Sequence, residues 1–346
     1  MTEEVSLATH LSVAMTTSLT QTETTAGNTK TSSFERGVEF YFQCAVLVMG
    51  IVGTAANGLI LYAMVASNQH TKQVLIFHQN FIDIVASFFL VITYSLKLCN
   101  IYLKGPVGYW LCALFHSDSL FFWATSASEI NLATVTVERY LKVVHPVWSK
   151  KLNNWMIYST MAIAWVVSFI YSIVGGIVYS AVIDGVCYVY MTYENEVSKV
   201  VVIVISFLLL YVIILVIFLF CYWRILTVIR RQARVMAGHS GHGSNAAQIL
   251  KIQANVTKTM VLVCALFAIS WLPQYISVLI LSLYPYPRAW EVSYYGSALL
   301  AFSYVCTNPF IYAVKFDPVK QILVHFVLCK RNSAEQSTEM QPPMPI

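Results

Sequence analysis

The stretch VVVIVISFLLLYVIILVIFLFCYW, Val200 to Trp223, runs for 24 residues without a charged side chain. A bilayer core takes about 20 helical residues to cross, and a soluble domain seldom keeps one element apolar on every face for so long. Backbone N–H and C=O groups in lipid must be satisfied within the segment, which selects a helix. The alternating pattern of a membrane barrel strand is absent from it.

The same reading extends outward along the chain. Phe40 to Thr71, Leu152 to Ile183, Thr259 to Pro287 and Val292 to Val314 are uncharged and long enough to span. Two further stretches qualify with intramembrane acids: Gln73 to Leu96, holding Asp83, and Gly105 to Val137, holding Asp118 and Glu129. The total is seven. Composition agrees, with 58% apolar and only 11% charged residues among 346, against about 25% charged in a typical globular chain. The expected fold is an all-α membrane protein, a seven-transmembrane helix bundle. Of the 21 Lys and Arg, fifteen fall on one set of loops, which the positive-inside rule makes cytoplasmic. The amino terminus is then extracellular, the carboxy terminus cytoplasmic and the chain a multi-pass protein of the plasma membrane. The net charge of +5 comes with no basic stripe, so a nucleic-acid partner is not expected.

Residues 1–39, rich in Thr and Ser at the start, read as a disordered extracellular tail without a cleavable signal peptide. The bundle occupies 40–315, and Met236 to Ala247, MAGHSGHGSNAA, reads as a flexible loop between the fifth and sixth spans. Over 316–329, Val319, Ile322, Leu323, Phe326 and Val327 recur at helical spacing among basic residues. That pattern predicts a short amphipathic helix on the inner leaflet, so the lipid bilayer is itself a partner. Cys329 at its end is a candidate for palmitoylation, and 330–346 is a polar tail carrying Ser333, Ser337 and Thr338. The eight cysteines show no C-x-x-C spacing, which argues against zinc, a redox dithiol or haem attachment.

Polar groups inside apolar spans are costly unless paired or hydrated, and they direct the search for function. Asn57, Asp83, Asp118, Glu129, Asn131 and Asn308 are such groups. Interhelical hydrogen bonding for stability alone is the plainer reading for Asn131. Glu138-Arg139-Tyr140 closes the third span, Trp271-Leu272-Pro273 lies in the middle of the sixth, and Asn308-Pro309-Phe310-Ile311-Tyr312 lies late in the seventh. With Gly53, Asn57, Asp83, Trp165 and Tyr222, these residues resemble the rhodopsin-like class of G-protein-coupled receptors from about Phe40 to Cys329.

Each motif also has a physical reading. Glu138 beside Arg139 sets an acid against a permanent cation at the inner membrane boundary, a two-state latch. Pro273 and Pro309 each remove a helical hydrogen bond and allow half-helices to swing. Trp271, two residues before the first of these, is bulky enough to register what fills the outer half of the bundle. An acid as deep as Glu129 needs a partner or a proton, and the expectation is that it couples the pocket to the Trp271 and Phe267 layer.

The resemblance implies more. Asp83, Asn57, Ser128 and Asn308 would hold an allosteric sodium ion, with no other cofactor. Cys112 and Cys187 would form the disulfide that pins the second extracellular loop, although Cys112 stands two residues further from Arg139 than the family's usual spacing. Tyr222 and Tyr312 would meet Arg139 when the cytoplasmic face opens. An extracellular ligand would dock among Asp118, Phe121, Phe122, Thr125, Trp271, Gln274, Tyr275, Tyr295 and Ala298, and a heterotrimeric G protein would bind inside, followed by arrestin and receptor kinases. Phe121 stands where aminergic relatives carry an Asp, and Phe302 where opsins carry their Schiff-base Lys, so neither an amine receptor nor a visual pigment is implied. Acidic exterior residues lean the ligand toward a peptide. Further departures are Ile214 where a proline commonly bends the fifth span, Val319 for a usual aromatic, and HQNFID, His78 to Asp83, around the second-span acid.

A transporter or channel using Asp83 and Glu129, with Asp118, is the alternative, opposed by the lack of inverted repeats and of paired broken half-spans. An enzyme is not expected, since H-E-x-x-H, G-x-S-x-G and phosphate-loop motifs are all missing. Only hydrolysis through the intramembrane acids stays formally open.

Overall fold

The computed structural model describes residues 25–189, 196–237, 244–283, 289–315 and 320–322. Its helices are α1 (Thr25–Ala66), α2 (Val74–Leu98), α3 (Gly105–Leu111), α4 (Ser119–Val144), α5 (Pro146–Ser149), α6 (Asn154–Tyr179), α7 (Glu196–Ser206), α8 (Ile213–Ala237), α9 (Ser244–Leu283) and α10 (Ala289–Lys315). Two π-helical turns interrupt them, Cys112–His116 after α3 and Phe207–Val212 between α7 and α8. Among the described residues, six helical stretches are long and apolar enough to cross a membrane: Gly37–Ala66, Val74–Leu98, Asn154–Tyr179, Val197–Val235, Thr257–Leu283 and Val292–Val314. The remaining span is α4, whose 26 residues carry Glu129 midway and Glu138, Arg139 and Lys142 at the end.

Burial is arranged as a lipid solvent requires. Asn57, Asp83 and Asn308 are 0% exposed while Phe220 is 51% and Trp223 67% exposed, the reverse of a soluble protein. The core of unit Gln43–Ile346 lies around α4, which packs on α2, α6 and α8, with α9 against α10. The other compact unit ends at Phe42.

Three expectations change. The segment 1–39 was expected to be disordered, yet α1 begins at Thr25; adding turns to an existing apolar helix avoids a second nucleation step. The 236–247 loop is shorter than expected, because α8 runs to Ala237 and α9 starts at Ser244. The third span is not one helix from Gly105. Asp118, between the π turn and α4, adopts φ 57°, a left-handed conformation that short polar side chains tolerate best. The predicted amphipathic helix and Cys329 lie outside the described residues except for 320–322, which are helical.

The segment between α6 and α7 forms a hairpin, β1 (Ser180–Ile183) antiparallel to β2 (Val186–Val189). Asp184 and Gly185 turn it with φ 51° and 80°, the positive pair of a two-residue hairpin turn. Gly185 also has the Tyr102 ring where a Cβ would stand, and its carbonyl accepts from the Leu103 N–H at 3.1 Å. Cys112 and Cys187 are joined in a disulfide with Cα atoms 5.3 Å apart. The π turn that begins at Cys112 and the left-handed Asp118 take up the extra residues between Cys112 and Arg139, so the bridge forms despite the altered spacing.

Candidate functional site

The outer part of the site is built from the ends of α2, α4, α9 and α10. Asp118 Oδ2 receives Lys97 Nζ at 2.8 Å, and the same ammonium lies 4.5 Å from the centre of the Tyr94 ring. Asp118 Oδ1 is buried without a hydrogen-bond partner among the described residues. Below the pair, Phe121 stacks edge-on against Phe302 at 4.7 Å and neighbours Phe122 at 5.5 Å. Phe121 and Ala298 are 0% and 2% exposed, so they form the floor beneath the site. The Thr125 hydroxyl turns back to Phe121 O at 3.1 Å, as helix threonines commonly do.

A second aromatic group joins the π turn to α9. Tyr275 lies 5.5 Å from Phe207, 5.4 Å from Tyr211 and 6.2 Å from Trp271. Gln274 Oε1 accepts from Ser297 Oγ at 2.8 Å. Tyr295 is half-buried at the start of α10. The indole N–H of Trp271 has no acceptor among the described residues. The nominated ligand residues thus separate into two groups, one around Asp118 and one around Trp271. Sequence reasoning missed Tyr94, Lys97, Phe207, Tyr211 and Ser297. Lys97 carried a signal, as a cation at the outer end of a span opposite an acid.

Phe267 is the hub below Trp271, with Tyr211, Phe218 and Tyr304 at 5.8, 5.8 and 5.7 Å. Glu129 is 3% exposed, and its Oε2 has no hydrogen-bond partner among the described residues. It lies within electrostatic reach of Tyr171 and Tyr275. Pro273 and Pro309 sit inside continuous helices, α9 and α10.

A buried polar chain crosses the middle of the bundle. Trp165 Nε1 donates to His78 Nε2 at 3.0 Å, and His78 Nδ1 meets Asn131 Oδ1 at 3.0 Å. Asn131 Nδ2 donates to Gln79 Oε1 at 2.7 Å, and Gln79 Nε2 donates to Ser128 Oγ and, at 3.4 Å, to Asp83 Oδ1. Ser128 Oγ reaches Asp83 Oδ1 at 3.0 Å and Asn308 Nδ2 reaches Asp83 Oδ2 at 2.8 Å. Asp83, Ser128 and Asn308 are therefore together, as expected. Asn57 instead donates to Gly53 O and Val305 O, each at 2.9 Å, tying α1 to α10.

At the inner end the latch differs from a simple pair. Glu138 is shared, its Oε1 bound by Lys142 Nζ and its Oε2 3.9 Å from Arg139 Nε. Arg139 Nη2 reaches Gln73 Oε1 at 3.5 Å. Lys142 draws off the acid because residues four apart on a helix are neighbours. Tyr222 hydrogen-bonds Thr136 at 3.1 Å, so it does not hold Arg139 here, although both Tyr222 and Tyr312 lie within its electrostatic reach. Tyr140 meets His145 Nε2 at 3.1 Å.

A family model described as 7 transmembrane receptor (rhodopsin family) matches residues 56–312. The chain belongs to the rhodopsin family of seven-transmembrane receptors. It is 24% identical over 301 residues to somatostatin receptor type 3 of Mus musculus, covering 84% of this chain and 69% of that one. Somatostatin receptor type 3 of Homo sapiens is 24% identical over 271 residues, 77% of this chain and 63% of that protein. Galanin receptor 2b of Danio rerio is 26% identical over 280 residues, 76% and 68% respectively. The chain thus spans about two thirds of the length of these relatives. Membership of a receptor family weighs against both the transporter and the enzyme readings, and the receptor's spans make it a multi-pass membrane protein.

Proposed function

We propose that this receptor binds an extracellular peptide and activates a heterotrimeric G protein from the plasma membrane, with its amino terminus outside. The observation that carries the reading is Arg139, a cation held only weakly at the inner rim, with its acid shared and a 3.5 Å bond to Gln73. A guanidinium so loosely held can exchange partners when the helices part, presenting its donors to a docking protein. A ligand drives this only by binding the open state more tightly than the closed one. Docking between the Asp118–Lys97 pair and the Trp271–Tyr275 group would do so by pressing on the Phe267 hub.

A peptide is favoured because the relatives are named for somatostatin and galanin, and because Phe121 leaves the bundle without the acid an amine would need at that position. Receptor kinases acting on Ser333, Ser337 and Thr338, followed by arrestin, complete the proposed partners. The test is a G-protein dissociation panel in cells expressing the chain, screened with a peptide library. At least one peptide should dissociate one G-protein subtype, and Arg139→Ala at equal surface expression should reduce that response at least tenfold. Equal responses from wild type and Arg139→Ala would contradict the reading.

A further inference from the structure

We infer that the Gln79 carboxamide occupies the seat of the cation beside Asp83, so that this receptor does not take sodium there. The resemblance leads to the opposite expectation, and the donor set decides between them. An indole N–H can only donate, so Trp165 makes His78 Nε2 an acceptor. The imidazole proton of neutral His78 therefore sits on Nδ1 and is donated to Asn131 Oδ1. Asn131 must then turn its amide nitrogen to Gln79 Oε1, which leaves only the Gln79 amino group to face Ser128 and Asp83.

Every link donates in the same direction, toward the carboxylate. Reversing Gln79 would set its N–H against that of Asn131, so the amide is locked in this sense. A sodium ion bridging Ser128 Oγ and Asp83 Oδ1 needs oxygen lone pairs at that gap and finds N–H groups directed into it. Ser128 Oγ accepts from Gln79 and donates to Asp83, and Asp83 Oδ2 accepts from Asn308, so the amide nitrogens of Gln79 and Asn308 stand on the faces of the carboxylate and hydroxyl that a cation would approach. The fourth nominated ligand, Asn57, turns its amino group to Gly53 and Val305. Its Oδ1 and that of Asn308 keep no partner among the described residues, so it is the Gln79 amide, seated against Ser128 and Asp83 Oδ1, that excludes the ion. The positive end of an amide dipole stands in for the ion, and the polar chain that fixes it spans α2, α4, α6 and α10.

The inference concerns the resting bundle and is independent of the ligand and of G-protein coupling. Its test is the thermal unfolding of the purified full chain in detergent, followed by tryptophan fluorescence, while sodium chloride replaces choline chloride at constant ionic strength. Wild type should show the same midpoint in both salts to within about 1 °C. Gln79→Leu, which removes the N–H groups and leaves Asp83 and Ser128 in place, should gain a saturable, sodium-specific rise of about 2 °C or more. Gln79→Ala serves the same purpose if leucine does not pack. A saturable sodium-specific rise in wild type, or its absence from a folded Gln79 variant, would overturn the inference.

Discussion

At the residue scale, Glu129 separates stability from function. A carboxyl oxygen buried in an apolar bundle without a donor costs about 1–3 kcal/mol, and Glu129 Oε2 is such an atom among the described residues. A chain selected for stability alone would carry an aliphatic side chain there. Glu129→Leu is therefore expected to raise the thermal midpoint of the receptor while weakening its response to an activating peptide, measured by unfolding and by G-protein dissociation on the same preparation. An unchanged midpoint and an unchanged response would remove Glu129 from the account. The acid was visible in the sequence because a charge inside an apolar run is conspicuous. The Lys97–Asp118 pair was only half visible, since Asp118 was singled out and its partner 21 residues upstream was not. His78 and Gln79 registered as a departure in motif and Trp165 as part of the resemblance, but the direction of their hydrogen bonds depends on three-dimensional neighbours that no spacing reveals.

At the scale of elements, length and apolarity settled the spans, and helix irregularities escaped. The third span reads as one segment because periodicity does not distinguish an α-helix from a single π turn. Only Asp118, in the left-handed region at φ 57°, marks where the chain is re-aimed. That re-aiming sets Ser117 and Ser119 against each other at 2.6 Å and brings this segment close to α6. A point of close approach is Gly176, where an added Cβ would run into Ser119 Oγ and lie 2.6 Å from the Ala113 carbonyl. Backbone cannot yield there as a rotamer can. Gly176→Val is expected to destabilise by about 1–3 kcal/mol, seen as a lower thermal midpoint and reduced surface expression. Gly175→Val, with open space where its Cβ would stand, is expected to leave both unchanged. Equal effects at the two positions would show that helix propensity and not close approach controls the site. In the fifth span, the π turn Phe207–Val212 supplies an irregularity just before Ile214, where the family commonly uses proline.

At the scale of the whole molecule, the bundle was legible because the bilayer imposes one rule on every span: apolar outside, polar only where partnered. The exposed faces of α6 and α8 carry Val166, Ile170, Val216 and Leu219 and the buried ones Ser168 and Tyr222, while Ser168 Oγ and Glu129 Oε2 depart from the rule, buried without a partner among the described residues. What sequence does not carry is the resting arrangement of the inner rim, where Lys142 competes with Arg139 for Glu138. The central claim is that this rim parts when a ligand docks outside. Spin labels on Val147→Cys and Lys258→Cys, with Cys99 and Cys329 replaced by Ser, report the distance between the inner ends of the third and sixth spans. The account predicts that a peptide active in the G-protein panel lengthens that distance, further when nucleotide-free G protein is present, and that the wild-type resting distance returns when the peptide is washed out. A distance distribution unmoved by an activating peptide and G protein together would contradict it.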